Sequence, residues 1–239
     1  MQHEILTYQA DGLTMKGELF FEPGADKRAG VLVFPEAFGL SDHARGRAER
    51  LAKDGYVALA CDLHGDAKLI DDLEQAIGLI KPLMAEPART RARTKTALEA
   101  LVGTGHVDAG KIAALGFCFG GTMALELARS GADIKAAVGF HSGLGTAAPK
   151  SDAKNIKGKV LVCIGADDPM IDIEARKTFE EEMKESGCDW QIHVYGNTVH
   201  SFTNQAAAKR NMPDAIRYSP EADKRSWASC MELFRETLA

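Results

Sequence analysis

The 239 residues contain no apolar run approaching the ~18 that would span a bilayer, so no transmembrane helix is expected. Cysteine is scarce. The five, at positions 61, 118, 163, 188 and 230, are scattered, odd in number and never in a C-x-x-C pair. That usage excludes a disulfide framework or a structural zinc site and points to free thiols in a reducing compartment. Basic charge is not in excess: 29 Lys and Arg against 34 Asp and Glu leave a net charge of −5. There is therefore no electrostatic case for a nucleic-acid or anionic-membrane partner. No H-x-x-x-H or carboxylate–histidine cluster suggests a metal, and no G-x-G-x-x-G or G-x-x-x-x-G-K-[ST] suggests a nucleotide, so no cofactor is expected. Met1-Gln2-His3-Glu4-Ile5 is neither basic nor apolar enough for a secretory signal, and the expected location is cytoplasmic. No repeat, low-complexity tract or Pro/Ser linker interrupts the chain, so residues 1–239 read as a single domain.

What is present is an ordinary globular composition, 45% apolar and 26% charged, arranged as alternating strands and helices. Glu4 to Gln9 and Leu13 to Phe21 read as an antiparallel pair about a turn at Asp11-Gly12. The apolar run Gly30 to Pro35 suits a buried strand. A helix follows, capped at Ser41 or Asp42 and ended by Gly55. Tyr56 to Cys61 is the next strand. Leu69, Leu73, Ile77 and Ile80 mark an amphipathic helix that should stop near Pro82, and a second helix runs from about Arg89 to Leu101. Its basic run, Arg89, Arg91, Arg93 and Lys95, reads as a solvated face. Strands follow at 111–115, 136–140, 159–164 and 191–195. Helices lie after Gly120, over Asp172 to Gly187, and from Ser219 to the last residues. Alternation of this kind predicts an α/β fold, a mainly parallel sheet with helices on both faces and an antiparallel N-terminal edge. Such sheets carry their chemistry at the carboxyl ends of the strands.

Three loop residues fall at such ends. Gly116-Phe117-Cys118-Phe119-Gly120 joins a strand to a helix and has the form of a nucleophile elbow, G-x-S-x-G, with cysteine in place of serine. Asp168 lies in Gly165-Ala166-Asp167-Asp168-Pro169, where its neighbour Asp167 is the competing carboxylate. His200 lies in Gly196-Asn197-Thr198-Val199-His200-Ser201-Phe202. A thiol is a weak nucleophile until deprotonated. An imidazole within reach can take its proton, and a carboxylate on the other ring nitrogen fixes the tautomer. Phe119 opens the helix after the nucleophile, so its N–H is an unpaired first-turn donor suited to an oxyanion. The other four cysteines read as small core hydrophobes, and Asp42-His43 as part of a helix N-terminus.

With these features the chain resembles the dienelactone hydrolase family of α/β-hydrolases over nearly its full length. The resemblance rests on the cysteine elbow, on Pro35-Glu36-Ala37-Phe38-Gly39-Leu40 after the first buried strand, and on the G-x-x-D and H-x-F loops. It implies the α/β-hydrolase fold and a Cys118–His200–Asp168 triad. It also implies a Glu36 that contacts the resting thiol, and an oxyanion hole from the Ala37 and Phe119 amides. Phe38, His141 and Phe202 would line the pocket. The implied substrate is a small ester or lactone, cleaved without a cofactor through a thioester, by a monomer or homodimer. Asn204 stands where family members acting on anionic lactones carry an arginine, and His141 where tyrosine is frequent, which favours a neutral or bulkier ester. Two other expectations are open: aryl phosphotriester hydrolysis by the same triad, and a thiol redox or peroxide-sensing role for Cys118 with Cys61 as its resolving partner.

Overall fold

A computed structural model, describing residues 1–24 and 26–239, gives these elements. The chain forms β1 (Gln2–Ala10), β2 (Leu13–Phe21), β3 (Arg28–Phe34), α1 (Asp42–Lys53), β4 (Val57–Ala60), α2 (Leu73–Ala85) and α3 (Pro87–Gly103). It continues with β5 (Val107–Phe117), α4 (Phe119–Arg129), β6 (Ala136–Phe140), β7 (Lys159–Gly165), α5 (Ile173–Ser186), β8 (Trp190–Tyr195) and α6 (Pro220–Leu238). Eight strands share one sheet in the order β1-β2-β4-β3-β5-β6-β7-β8. β1–β2 and β2–β4 are antiparallel and every other pairing is parallel, the arrangement of an α/β-hydrolase sheet.

The N-terminal edge is set by its turn. Asp11 and Gly12 both hold positive φ, 50° and 73°, the backbone of a two-residue turn whose twist matches a hairpin. In the sheet centre the side chains alternate between two helical layers. Leu32 and Phe34 of β3 pack with α2, α3 and α4, and Val31 and Val33 pack with α1 and α6. α5 covers Val160, Val162 and Ile164 of β7 through Phe179 and Met183. Asp172 caps α5 by accepting from the Ala175 N–H at 2.7 Å, and Gly187 ends it in the left-handed region at φ 77°. Among the described residues no helix is long and apolar enough to cross a membrane.

Two expectations are corrected. α2 begins at Leu73, behind an Asp72 cap, and passes through Pro82 to Ala85, so Leu69 lies outside it and is exposed. Proline removes one helical hydrogen bond. Buried Ile80 and Leu83 hold the last turn, and Glu86 N–H closes on Pro82 O at 3.0 Å. The basic run of α3 is not a solvated face, because α3 lies between the hairpin and α4. Arg89 and Arg93 grip the Asp11 carboxylate at 2.9 and 2.7 Å, and Arg91 bonds Glu126 at 2.9 Å and Asp152 at 2.6 Å. Lys95 alone of the four is exposed to solvent as expected.

Candidate active site

The nucleophile position is imposed by crowding. A Cβ on Gly116 would lie 2.0 Å from Gly120 O, and one on Gly120 would lie 2.3 Å from Phe34 O and 2.4 Å from Pro35 O. Only glycine fits at either place, and the contact seats the loop after β3 against the first turn of α4. Between them Cys118 adopts φ 54° and ψ −122°, a backbone that side chains rarely accept and that costs about 1–3 kcal/mol. Its N–H is shared between Phe140 O at 3.0 Å and His141 Nδ1 at 3.2 Å. Cys118 is partly exposed, whereas Cys61, Cys163 and Cys230 are buried and Cys188 lies at the far end of α5.

His200 reaches the site from the loop after β8. His200 N–H donates to Ala215 O at 3.0 Å and His200 O accepts from Arg217 N–H at 3.1 Å, so the backbone is clamped on both sides. Its Nδ1–H donates to Asp168 Oδ2 at 2.8 Å, and Asp168 Oδ1 accepts from Met170 N–H at 2.9 Å. Asp167 is exposed, so the choice between the two carboxylates falls to Asp168. Burial opposes the imidazolium, but the Cys118 charge and the Asp168 hydrogen bond outweigh it and push His200 up to about 10. Cys118 raises it both through its charge and as a hydrogen-bond partner, although Nε2 makes no hydrogen bond of strict geometry among the described residues.

Glu36 does not hydrogen-bond the thiol, contrary to expectation. Its carboxylate accepts from Ser201 Oγ at 2.8 Å and Asn204 Nδ2 at 2.5 Å, and lies 3.9 Å from His43 Nδ1. Ser201 and Asn204 thus occupy one carboxylate oxygen each. No Lys or Arg pairs with Glu36 among the described residues, and Arg210 is engaged with Asp71 O at 2.7 Å and the Phe38 ring. Phe119 is the first residue of α4, so its N–H has no acceptor within the helix, and Ala37 follows Glu36 in the loop packed on that helix.

His141 and Phe202 are not pocket residues. His141 is wholly buried between Cys118 N–H and Thr203 Oγ1, the latter at 2.8 Å, and Phe202 packs on it in the core. Burial, with the His200 charge 5.0 Å away ring to ring, holds the His141 imidazole neutral, well below the usual histidine range. Thr203 Oγ1 also lies 3.2 Å from His43 Nε2. His43 lies in the first turn of α1, as expected, and from there also forms part of the wall beside Glu36. Nothing short of the folded loop after His200 points to it.

Two cavities lie beside these loops, one against Glu36 and Ser201 and one against Phe119. One, of about 270 Å³, is lined by Glu36, Phe38, Ser201 and Asn204 and by the cations Lys209 and Arg210. The other, of about 380 Å³, is apolar, lined by Leu83, Met84, Phe119, Leu144, Met170 and Ile171. Among the described residues no group of three or more His, Cys, Asp or Glu is placed to share a metal ion.

Residues 15–238 match the model of the dienelactone hydrolase family. The solved structure named m3DLH is 48% identical, with a TM-score of 0.95 over 100% of this chain and 99% of that one. A dienelactone hydrolase-like promiscuous phosphotriesterase from metagenomic libraries is 41% identical, with a TM-score of 0.93 over 100% of this chain and 99% of that one. A Methylorubrum extorquens protein named "Putative carboxymethylenebutenolidase" is 28% identical over 216 residues, 86% of this chain and 71% of that protein.

Proposed function

The chain belongs to the dienelactone hydrolase family and is a hydrolase of ester or lactone bonds, and we propose that it cleaves a small neutral ester or lactone by way of a thioester on Cys118. The observation that carries this reading is the strained Cys118 held beside a buried His200 whose far nitrogen bonds Asp168 at 2.8 Å. Cys118 Sγ attacks the acyl carbon, and the carbonyl oxygen takes the negative charge against the Ala37 and Phe119 amides. The His200 imidazolium gives its Nε2 proton to the departing alkoxide, leaving a thioester. His200 then removes a proton from water, which attacks the thioester. The acid departs, and Sγ regains the charge that the imidazolium balances. Asp168 fixes the ring and stabilises its charged form throughout.

The neutral substrate follows from Glu36. Lys209 and Arg210 line the same cavity but neither pairs with Glu36, and Arg210 is held by Asp71 O and the Phe38 ring, while Asn204 and Ser201 beside the carboxylate suit uncharged polar groups. The apolar cavity beside Phe119 suits a hydrocarbon or aryl portion. The five free cysteines suit a reducing cytoplasm.

Stopped-flow mixing with 4-nitrophenyl acetate tests the scheme. A burst of nitrophenol and an acetyl group mapped to Cys118 are expected, and Cys118→Ala should lose at least about 10³-fold in kcat/KM. Unchanged turnover in Cys118→Ala would refute it. A second activity is favoured by the phosphotriesterase neighbour at 41% identity: the same thiolate attacks an aryl phosphotriester, its phosphoryl oxygen in the same amide pair. Paraoxon turnover measures it. The redox reading loses its resolving partner, because the Cys61 thiol is buried against Leu59 O at 3.4 Å.

A further inference from the structure

Asp62, at the end of β4, is 3% exposed and accepts four backbone N–H groups. Lys16 (3.0 Å) and Ala67 (2.7 Å) donate to Oδ2, and His64 (3.0 Å) and Gly65 (3.1 Å) donate to Oδ1. The carboxylate winds the following loop so tightly that Gly65, Asp66 and Ala67 take φ of 86°, 52° and 53° in succession. Left-handed backbone at two adjacent non-glycine residues persists only where surrounding bonds over-determine it.

The product of that winding is the placement of His64. Its Nε2 lies 2.8 Å from Ala37 O. Burial lowers its pKa and keeps the ring neutral, so Nε2–H donates to that carbonyl. The same loop touches the β3 loop twice more. Ile70 N–H donates to Phe38 O at 3.0 Å, and Lys68 O lies 2.3 Å from where a Cβ on Gly39 would be. On the other side of Ala37, Glu36 O accepts from Gly39 N–H at 3.0 Å. Both peptide planes flanking the Ala37 Cα are therefore tied, one by its own turn and one by His64.

We propose that His64, seated by Asp62, is a positioning residue: it holds the middle peptide of the Glu36–Gly39 turn, whose first peptide carries the Ala37 N–H, and by fixing the turn keeps that N–H toward the developing oxyanion. This rests on the thioester reading above. An amide donor contributes only if it meets the oxygen in the transition state, and a displacement of about 1 Å can cost on the order of 10²-fold.

The test compares His64→Ala and His64→Gln with the intact protein in two reactions at Cys118. Acylation by 4-nitrophenyl acetate needs an oxyanion hole. Alkylation by iodoacetamide displaces iodide at a saturated carbon and needs none. His64→Ala should acylate roughly 10- to 100-fold more slowly, with KM changed less than about threefold. Its alkylation rate at Cys118, read by peptide mass mapping, should stay within about twofold. Gln places an amide donor near Nε2 and should restore most of the acylation rate. Wild-type acylation in His64→Ala, or alkylation falling in parallel with acylation, would overturn the positioning role. If the intact protein instead turns over the ester with Cys118 fully alkylated, the thioester reading itself fails.

Discussion

His141 gives a sharp test of the electrostatics around the nucleophile. It is held neutral in the fold by burial and by the charge of His200. In the unfolded chain it titrates near the ordinary value of about 6.5. Its folded pKa is depressed, so unfolding takes up a proton here below about pH 6.5. The stability it contributes is present above that pH and is lost as pH falls. Between pH 7.5 and 5.5 the loss is about 1.4 kcal/mol for this one group. His43 and His64, also depressed by burial, act in the same direction. His200 is raised and so acts on the alkaline side of 6.5, and its contribution cancels between proteins that both retain it. The informative comparison is His141→Asn, whose amide oxygen can still accept the Cys118 N–H but which does not titrate. Urea unfolding at the two pH values should give a smaller acid-induced drop in the variant. With m of roughly 2 kcal/mol/M, the difference between the two drops is about 0.7 M in midpoint. Equal drops in both proteins would refute the buried neutral imidazole.

Three other substitutions have defined outcomes. Gly120→Ala drives a Cβ to 2.3 Å from Phe34 O and should cost about 3 kcal/mol or more, a fall in Tm of roughly 6–12 °C by calorimetry. Asn204→Arg places a cation beside Glu36 and should lower KM for a carboxylate-bearing lactone about tenfold while changing that for a neutral ester less than threefold, as initial-rate kinetics would show. Arg129→Met strands Glu182, which the guanidinium grips twice at 2.8 Å, and should cost about 3–5 kcal/mol in urea unfolding, most of it regained in Arg129→Met with Glu182→Met.

The fold and much of the site were legible because their signals are local. Alternation in β3, the Asp11-Gly12 turn, the glycines about Cys118 and the Asp172 and Gly187 caps each act within a few residues. The residues whose roles the sequence alone does not reveal act through partners far along the chain. Arg89 and Arg93 look solvated until the hairpin folds over them. His141 looks like a wall residue until Thr203 closes on it from the loop after His200. His64 sits in a short Cys61-Asp62-Leu63-His64 stretch with no pattern of its own, and only the four amides around Asp62 show which way its ring must face. Glu36 was found from resemblance, but its partners include Asn204, where this chain departs from the pattern.

The grip of Arg89 and Arg93 on Asp11 also bears on how the protein is born. The hairpin leaves the ribosome ahead of α3, and the guanidiniums that neutralise its turn lie 78 and 82 residues further along. At about 5–20 residues per second, synthesis leaves that carboxylate without its partners for roughly 4–16 s. During that interval α1 and α2 are made, but α3, which packs with Leu19 and Phe21, is not. The turn at the sheet edge is therefore completed late, when the third helix docks on it.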